Sequence, residues 1–124
     1  MKKRIAALVL MGVLAVSTMS YASDGTTSCS FQINDNNTGV GYLSVNPSNI
    51  SGYTTIPSGL GTAEIEVQYE YKTAAGKYVE DCMQGKKIQS ITVRQTLPSS
   101  TSQRKAHSTH YSQTSKEKGY CSKW

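Results

Sequence analysis

Two histidines and three cysteines are the side chains of this 124-residue chain with the widest range of chemistry. His107 and His110 stand three residues apart, a spacing that on a helix would let both rings reach one metal ion. A metal site needs a third ligand, and Cys121 is the only soft donor near them in the sequence. The Ser- and Thr-rich segment around them is a poor helix former. We therefore expect two solvated histidines, no metal site and no cofactor.

The chain also lacks the spacings that mark common catalytic sites. It contains no Gly-x-Ser-x-Gly, no phosphate-binding glycine loop and no His-Glu-x-x-His. The acidic residues Glu64, Glu66 and Glu70 alternate with apolar ones, which is typical of a solvated strand face. The sequence thus predicts a protein that is not an enzyme. The alternative is a small secreted hydrolase or metal-dependent enzyme that uses His107 or His110.

Residues 1–22 have the three-part layout of a secretory signal peptide. Lys2, Lys3 and Arg4 precede an apolar run over 5–16, and small polar residues follow it. The run is shorter than the ~20 residues needed to span a bilayer, so the mature chain is predicted to have no transmembrane segment. We expect cleavage between Ala22 and Ser23 and export to the periplasm or the medium.

Export decides how the three cysteines are interpreted. In an oxidising compartment they are disulfide candidates before they are metal ligands. The sequence allows three pairings, each of which leaves one thiol over. We favour Cys82 with Cys121, because this bridge would tether the C-terminal segment, and Cys29 with Cys121 is a close alternative.

Two sets of residues are candidates for binding. Three of the cations that give the net charge of +5 belong to the predicted signal peptide. The net charge of the mature chain is therefore small, and we expect no nucleic-acid partner. The first set joins five C-terminal cations to two aromatics, and it would meet a protein or an anionic envelope component: Lys86, Lys87, Arg94, Arg104, Lys105, Tyr111 and Trp124. The second set consists of five tyrosines, of which Tyr69 and Tyr71 are expected in the core, together with the C-terminal aromatics: Tyr42, Tyr53, Tyr69, Tyr71 and Tyr78 with Tyr111, Tyr120 and Trp124.

These residues must be positioned by strands. Apolar and polar residues alternate from Ala63 to Thr73, which predicts a half-buried strand, and Asn- and Gly-rich turns separate other β-type segments. Residues 23–97 are predicted to form an all-β domain, a small antiparallel sandwich or open barrel of five to seven strands. Residues 98–124 contain no Val, Ile, Leu, Met or Phe, so they are predicted to be a Ser/Thr-rich basic tail tethered by Cys121.

Export, seven tyrosines beyond the predicted signal peptide and the lack of a catalytic motif together predict a non-enzymatic interaction protein. An inhibitor, an immunity factor or a surface-associated binder would fit. A further alternative is a binder of anionic envelope polymers that uses the basic tail.

Overall fold

The computed structural model describes residues 24–124, so the expected signal peptide and its cleavage site lie outside the described residues. Within this range the chain forms eight strands and no helix: β1 (Gly25–Asn34), β2 (Asn37–Val45), β3 (Asn49–Thr55), β4 (Thr62–Lys72), β5 (Tyr78–Ile88), β6 (Ser90–Thr96), β7 (Ser102–Ser112) and β8 (Gly119–Lys123). Accordingly, the described part of the chain offers no helix that could span a membrane. The all-β prediction is confirmed, with eight strands in place of five to seven.

The strands form two four-stranded antiparallel sheets packed face to face. The first sheet has the order β1-β2-β3-β6 and the second the order β5-β4-β7-β8. The chain passes from one sheet to the other at Gln89, whose φ is 69°. The backbone there is held by Gln89 N donating to Gly61 O at 3.0 Å and by Ile56 N donating to Gln89 O at 2.9 Å. The result is a β-sandwich, in which β5 lies beside β6 at one corner and β1 beside β8 at the other.

Alternation along each strand supplies the core between the sheets. Leu43, Val45 and Ile50 of the first sheet are fully buried with Ile65 and Val67 of the second. Each side chain of this size contributes about 2 kcal/mol when it leaves water. The inward positions of β4 are the apolar ones of the predicted alternation, and Tyr69 is buried among them as expected.

Residues 98–124 differ from the expected tail. They form β7, which pairs with β4 on one side and β8 on the other. The inward side chains of β7 are small or polar yet buried: Ala106, Ser108, His110 and Ser112. Their room comes from the opposite sheet, because a Cβ at Gly41 would lie 2.2 Å from the His110 ring. In this part of the core, the His110 ring packs against Gly41 of the opposite sheet, where aliphatic side chains would otherwise meet.

Candidate functional site

The outer face of the first sheet carries many hydroxyl groups. Strand register aligns three rows of four outward residues, which we call the hydroxyl face: Ser30-Val40-Thr55-Ser90, Ser28-Tyr42-Tyr53-Thr92 and Thr26-Ser44-Ser51-Arg94. Ten of these twelve side chains carry a hydroxyl, none is acidic and one is basic. The face can therefore donate and accept many hydrogen bonds while it carries almost no charge.

Two tyrosines occupy the centre of the hydroxyl face. Tyr42 and Tyr53 are cross-strand neighbours, and their ring centroids lie 6.0 Å apart with an interplanar angle of 28°. Tyr42 remains 41% exposed, although it sits in the middle of a sheet. Both belong to the tyrosine set named from the sequence, so the structure brings two of its members together on one surface.

The outer face of the second sheet, which we call the charged face, is built differently. Strand register places Glu64 of β4 opposite Lys86 of β5, and Glu70 opposite both Glu80 of β5 and Lys105 of β7. Lys105 Nζ lies 3.8 Å from a carboxylate oxygen of Glu70. Charges of both signs thus stand side by side on this face.

The seven residues of the basic binding set do not form one patch. Lys86 and Lys87 lie at the end of β5, where Lys86 shares a shallow groove with Glu64 and Tyr111. Arg94 lies on the opposite sheet, at a corner of the hydroxyl face. Arg104 binds the Asp24 carboxylate through two nitrogens, at 3.0 and 2.7 Å.

Lys105 and Trp124 are the two members of that set that meet most closely. The Lys105 ammonium lies 5.4 Å from the centre of the Trp124 ring. Trp124 in turn stacks on His107, with centroids 4.5 Å apart and an interplanar angle of 7°. The C-terminal residue therefore covers part of its own sheet, and its ring is not free for a ligand.

The expectation of two solvated histidines is wrong, because His107 is 3% exposed and His110 is fully buried. Burial lowers the pKa of each imidazole to about 4. Neither ring nitrogen of His107 has a hydrogen-bond partner within residues 24–124. Both nitrogens of His110 are engaged, Nδ1 with Thr54 Oγ1 at 2.7 Å and Nε2 with Ser108 Oγ at 2.6 Å.

His110 also lies beside two of the cysteines. One ligand atom each of Cys29, His110 and Cys121 falls within 4.8 Å of the other two. The Sγ atoms of Cys29 and Cys121 are 2.9 Å apart and not bonded. This donor set suits a soft metal ion, and the two sulfurs alone suit a disulfide.

The structure does not bring Cys82 and Cys121 together. Cys82 lies on the charged face of β5, whereas Cys121 faces the core from β8, and β4 and β7 separate their strands. Three strand spacings are about 14 Å, roughly twice the Cα separation that a disulfide tolerates. The favoured bridge from the sequence is therefore incompatible with this register.

Sequence reasoning missed the hydroxyl face as a unit. Its members span residues 26–94 and become neighbours only through strand pairing. The local signal was the alternation of Thr26, Ser28 and Ser30, which indicates one polar strand face. No family model, curated protein or solved structure matches the chain.

Proposed function

We propose that this chain is an exported, non-enzymatic binding protein whose hydroxyl face holds an uncharged polysaccharide. The observation that carries the proposal is the composition of that face, in which ten of twelve side chains are hydroxyl-bearing and two of these are stacked tyrosines. The proposed export rests on the signal-like residues 1–22.

The chemistry of the face matches that of a sugar. A sugar hydroxyl both donates and accepts hydrogen bonds, as Ser, Thr and Tyr hydroxyls do. Each of the two stacked tyrosine rings has one face that the other ring does not cover, which offers rigid apolar area for the C–H side of a sugar ring, and the phenol tip adds a polar contact. The 6.0 Å separation of Tyr42 and Tyr53 is comparable to the length of one sugar unit. Two consecutive rings of one chain could then contact the pair.

The extent of the face favours an extended ligand. Each of its three rows crosses all four strands of the sheet, and eight of the twelve side chains are small serines and threonines. The shallow grooves of the molecule include one around Glu64 and Lys86, which is on the other sheet. A linear chain that lies across the hydroxyl face can contact all four strands.

Two other functions are less well supported. A binder of anionic polymers would need the basic residues on one surface, but they are divided between both sheets, and Arg104 and Lys105 are ion-paired. An enzyme that uses His107 or His110 would need an accessible imidazole, and both rings are buried.

Replacing both central tyrosines tests the proposal. The double variant Tyr42→Ala/Tyr53→Ala should bind neutral glucans, mannans or chitin oligosaccharides at least about tenfold more weakly, because each ring contact contributes roughly 1 kcal/mol. Affinity is measured by calorimetry or by retention on the immobilised polysaccharides. Circular dichroism and thermal unfolding establish that the variant is folded.

Tyr120→Ala is the matched control. Tyr120 is 57% exposed, but it belongs to β8 and lies outside the hydroxyl face. Its removal should leave glycan binding unchanged. Equal losses from both substitutions, or no binding of the wild-type protein to any neutral glycan, would overturn the proposal.

A further inference from the structure

Cys29 and Cys121 meet at the corner of the sandwich where the edge strands β1 and β8 of the two sheets lie side by side. Their sulfurs, at 2.9 Å, are closer than an ordinary van der Waals contact. Polar contacts already hold this corner, since Lys116 N donates to Gln32 O at 3.1 Å and Gln32 N donates to Glu117 Oε1 at 2.9 Å. The two strands therefore need little movement to be joined covalently.

A chain of buried hydrogen bonds leads to this pair of sulfurs. The Ser108 hydroxyl, which has one proton, donates to Cys121 Sγ, so its oxygen accepts from His110 Nε2 at 2.6 Å. The neutral His110 ring then uses Nδ1 to accept from the Thr54 hydroxyl at 2.7 Å. The Cys121 thiol has two acceptors within reach, Cys29 Sγ at 2.9 Å and Gly41 O at 3.6 Å, and we assign its proton to the shorter contact, with Cys29. Every bond in the chain points the same way, and Cys29 is its final acceptor.

The two thiols are consequently unequal. The pKa of Cys29 is lowered, chiefly because its sulfur accepts a hydrogen bond from Cys121 and to a smaller extent because of a hydrogen bond with the Gly41 backbone; partial burial acts in the opposite direction and is second in size. The pKa of the Cys121 thiol is raised, first by its hydrogen bond to Cys29 and then by burial. Cys29 is also the more accessible, because it is partly buried whereas Cys121 is 2% exposed. Since the thiolate is the reactive form, Cys29 is the first nucleophile.

We propose that Cys29 and Cys121 are an oxidation site that closes the β1/β8 corner by thiol–disulfide exchange, with Cys29 attacking first. The Cys29 thiolate attacks one sulfur of an external disulfide RS–SR, whose S–S bond breaks and releases RS⁻, which takes up a proton. Cys121 loses its proton and attacks Cys29 Sγ in the mixed disulfide, which expels the second RS⁻. Two thiols and RS–SR thus yield the Cys29–Cys121 disulfide and two RSH.

This assignment leaves Cys82 outside the disulfide and consumes both cysteine donors beside His110. The bridge joins residues 92 positions apart. A loop of that length restricts the unfolded chain strongly, so oxidation should raise the unfolding temperature by roughly 15 °C or more.

Intact mass under non-reducing conditions tests the pairing on protein purified from the exporting cell. The product should be about 2 Da lighter than the fully reduced chain, with one thiol open to alkylation, and peptide mapping should place that thiol at Cys82. Cys82→Ser should keep the loss of 2 Da, whereas Cys29→Ser and Cys121→Ser should abolish it. A protein that retains three alkylatable thiols, or one that holds a zinc or copper ion on native mass spectrometry, would contradict the proposal.

The order of attack is tested with oxidised glutathione. Cys121→Ser should accumulate a mixed disulfide on Cys29, and Cys29→Ser should form little adduct on Cys121. A reversed pattern would overturn the assignment of Cys29 as first nucleophile, and this outcome is independent of glycan binding.

Ser108 acts on Cys29 only through Cys121, and the pH profile of Cys29 alkylation tests this role. In reduced Cys82→Ser protein, Ser108→Ala should shift the pH profile of Cys29 alkylation upward, because Cys121 then donates a weaker hydrogen bond. Ser112→Ala is the matched control, since Ser112 is buried on the same strand but its Oγ has no hydrogen-bond partner among residues 24–124. Identical profiles for both variants would show that the chain does not act on Cys29.

Discussion

The two outer faces of this sandwich contain aromatic side chains in opposite circumstances. On the hydroxyl face, Tyr42 and Tyr53 stack on each other and no lysine covers either ring in the described structure. On the charged face, Lys118 lies 4.7 Å from the centre of the Tyr111 ring and Lys105 lies 5.4 Å from that of Trp124. Aromatic rings on the charged face thus have a lysine over them, whereas the two rings of the hydroxyl face have only each other.

This difference distinguishes a surface that is available for binding from one whose side chains already have intramolecular partners. A face whose charges and rings already have intramolecular partners loses those contacts when a ligand arrives, and the lost contacts offset part of the gain. A face of exposed hydroxyls exchanges bonds with water for bonds with a ligand. The aromatic and charged residues of the basic set on the charged face therefore indicate internal stabilisation of that sheet.

Acid should destabilise the protein through the second sheet, and this is the largest effect that we expect. The pKa of both His107 and His110 is about 4 in the folded state, below the unfolded value of about 6.5. The unfolded chain therefore binds more protons between these values, and stability falls as the pH drops from about 6.5 to 4. The loss should reach about 3 kcal/mol for each imidazole, measured by urea unfolding across this range.

His107→Gln separates the two contributions. It should remove about half of the pH dependence, because Gln does not titrate and His110 remains. The hydroxyl face contains no histidine and no carboxylate, so glycan binding by protein that is still folded should not change over the same range. An unchanged slope in His107→Gln would mean that His107 is not desolvated as the stack implies.

Trp124→Ala should give the next largest effect. Removing the indole uncovers His107 and breaks the contact with Lys105, so we expect a loss of about 2 kcal/mol at neutral pH. The pKa of the exposed His107 should rise, which weakens the acid dependence of stability as well.

Tyr42→Ala is the counterpart on the other sheet and should lower the free energy of unfolding by less than about 1 kcal/mol, because Tyr42 is already 41% exposed. Similar losses in urea unfolding would erase the contrast between the faces.

Hydropathy predicted the fold class but not the extent of the sheets. β4 was recognisable because its inward side is aliphatic, with Ile65 and Val67 among its members. β7 was not, because its inward residues Ser108 and His110 are polar and are buried only through hydrogen bonds and the space left by Gly41. Absence of aliphatic residues therefore did not mean absence of a strand.

The candidate sites were predictable to different degrees for a similar reason. Cys29 was already a candidate partner for Cys121, but the choice between Cys29 and Cys82 depends on which face of a strand each occupies. The tyrosines were recognisable as candidates one by one, whereas the hydroxyl face required the register of four strands. Local pattern specifies the sides of a strand, and only pairing specifies which sides become one surface.

Salt should have the smallest effect of all, on the affinity for the glycan, and a nearly constant affinity would distinguish an uncharged ligand from an anionic one. The hydroxyl face carries a single charge, Arg94, at one corner, so an uncharged glycan has no counterions to release there. Its affinity should change by less than about twofold between about 50 and 500 mM NaCl, a range over which exposed charges become largely screened. An anionic polymer held by several of the dispersed cations would lose roughly tenfold or more. Calorimetric titration at the two salt concentrations distinguishes these cases. A steep loss for the preferred ligand would return the binding site to the basic residues and remove the contrast between the two faces.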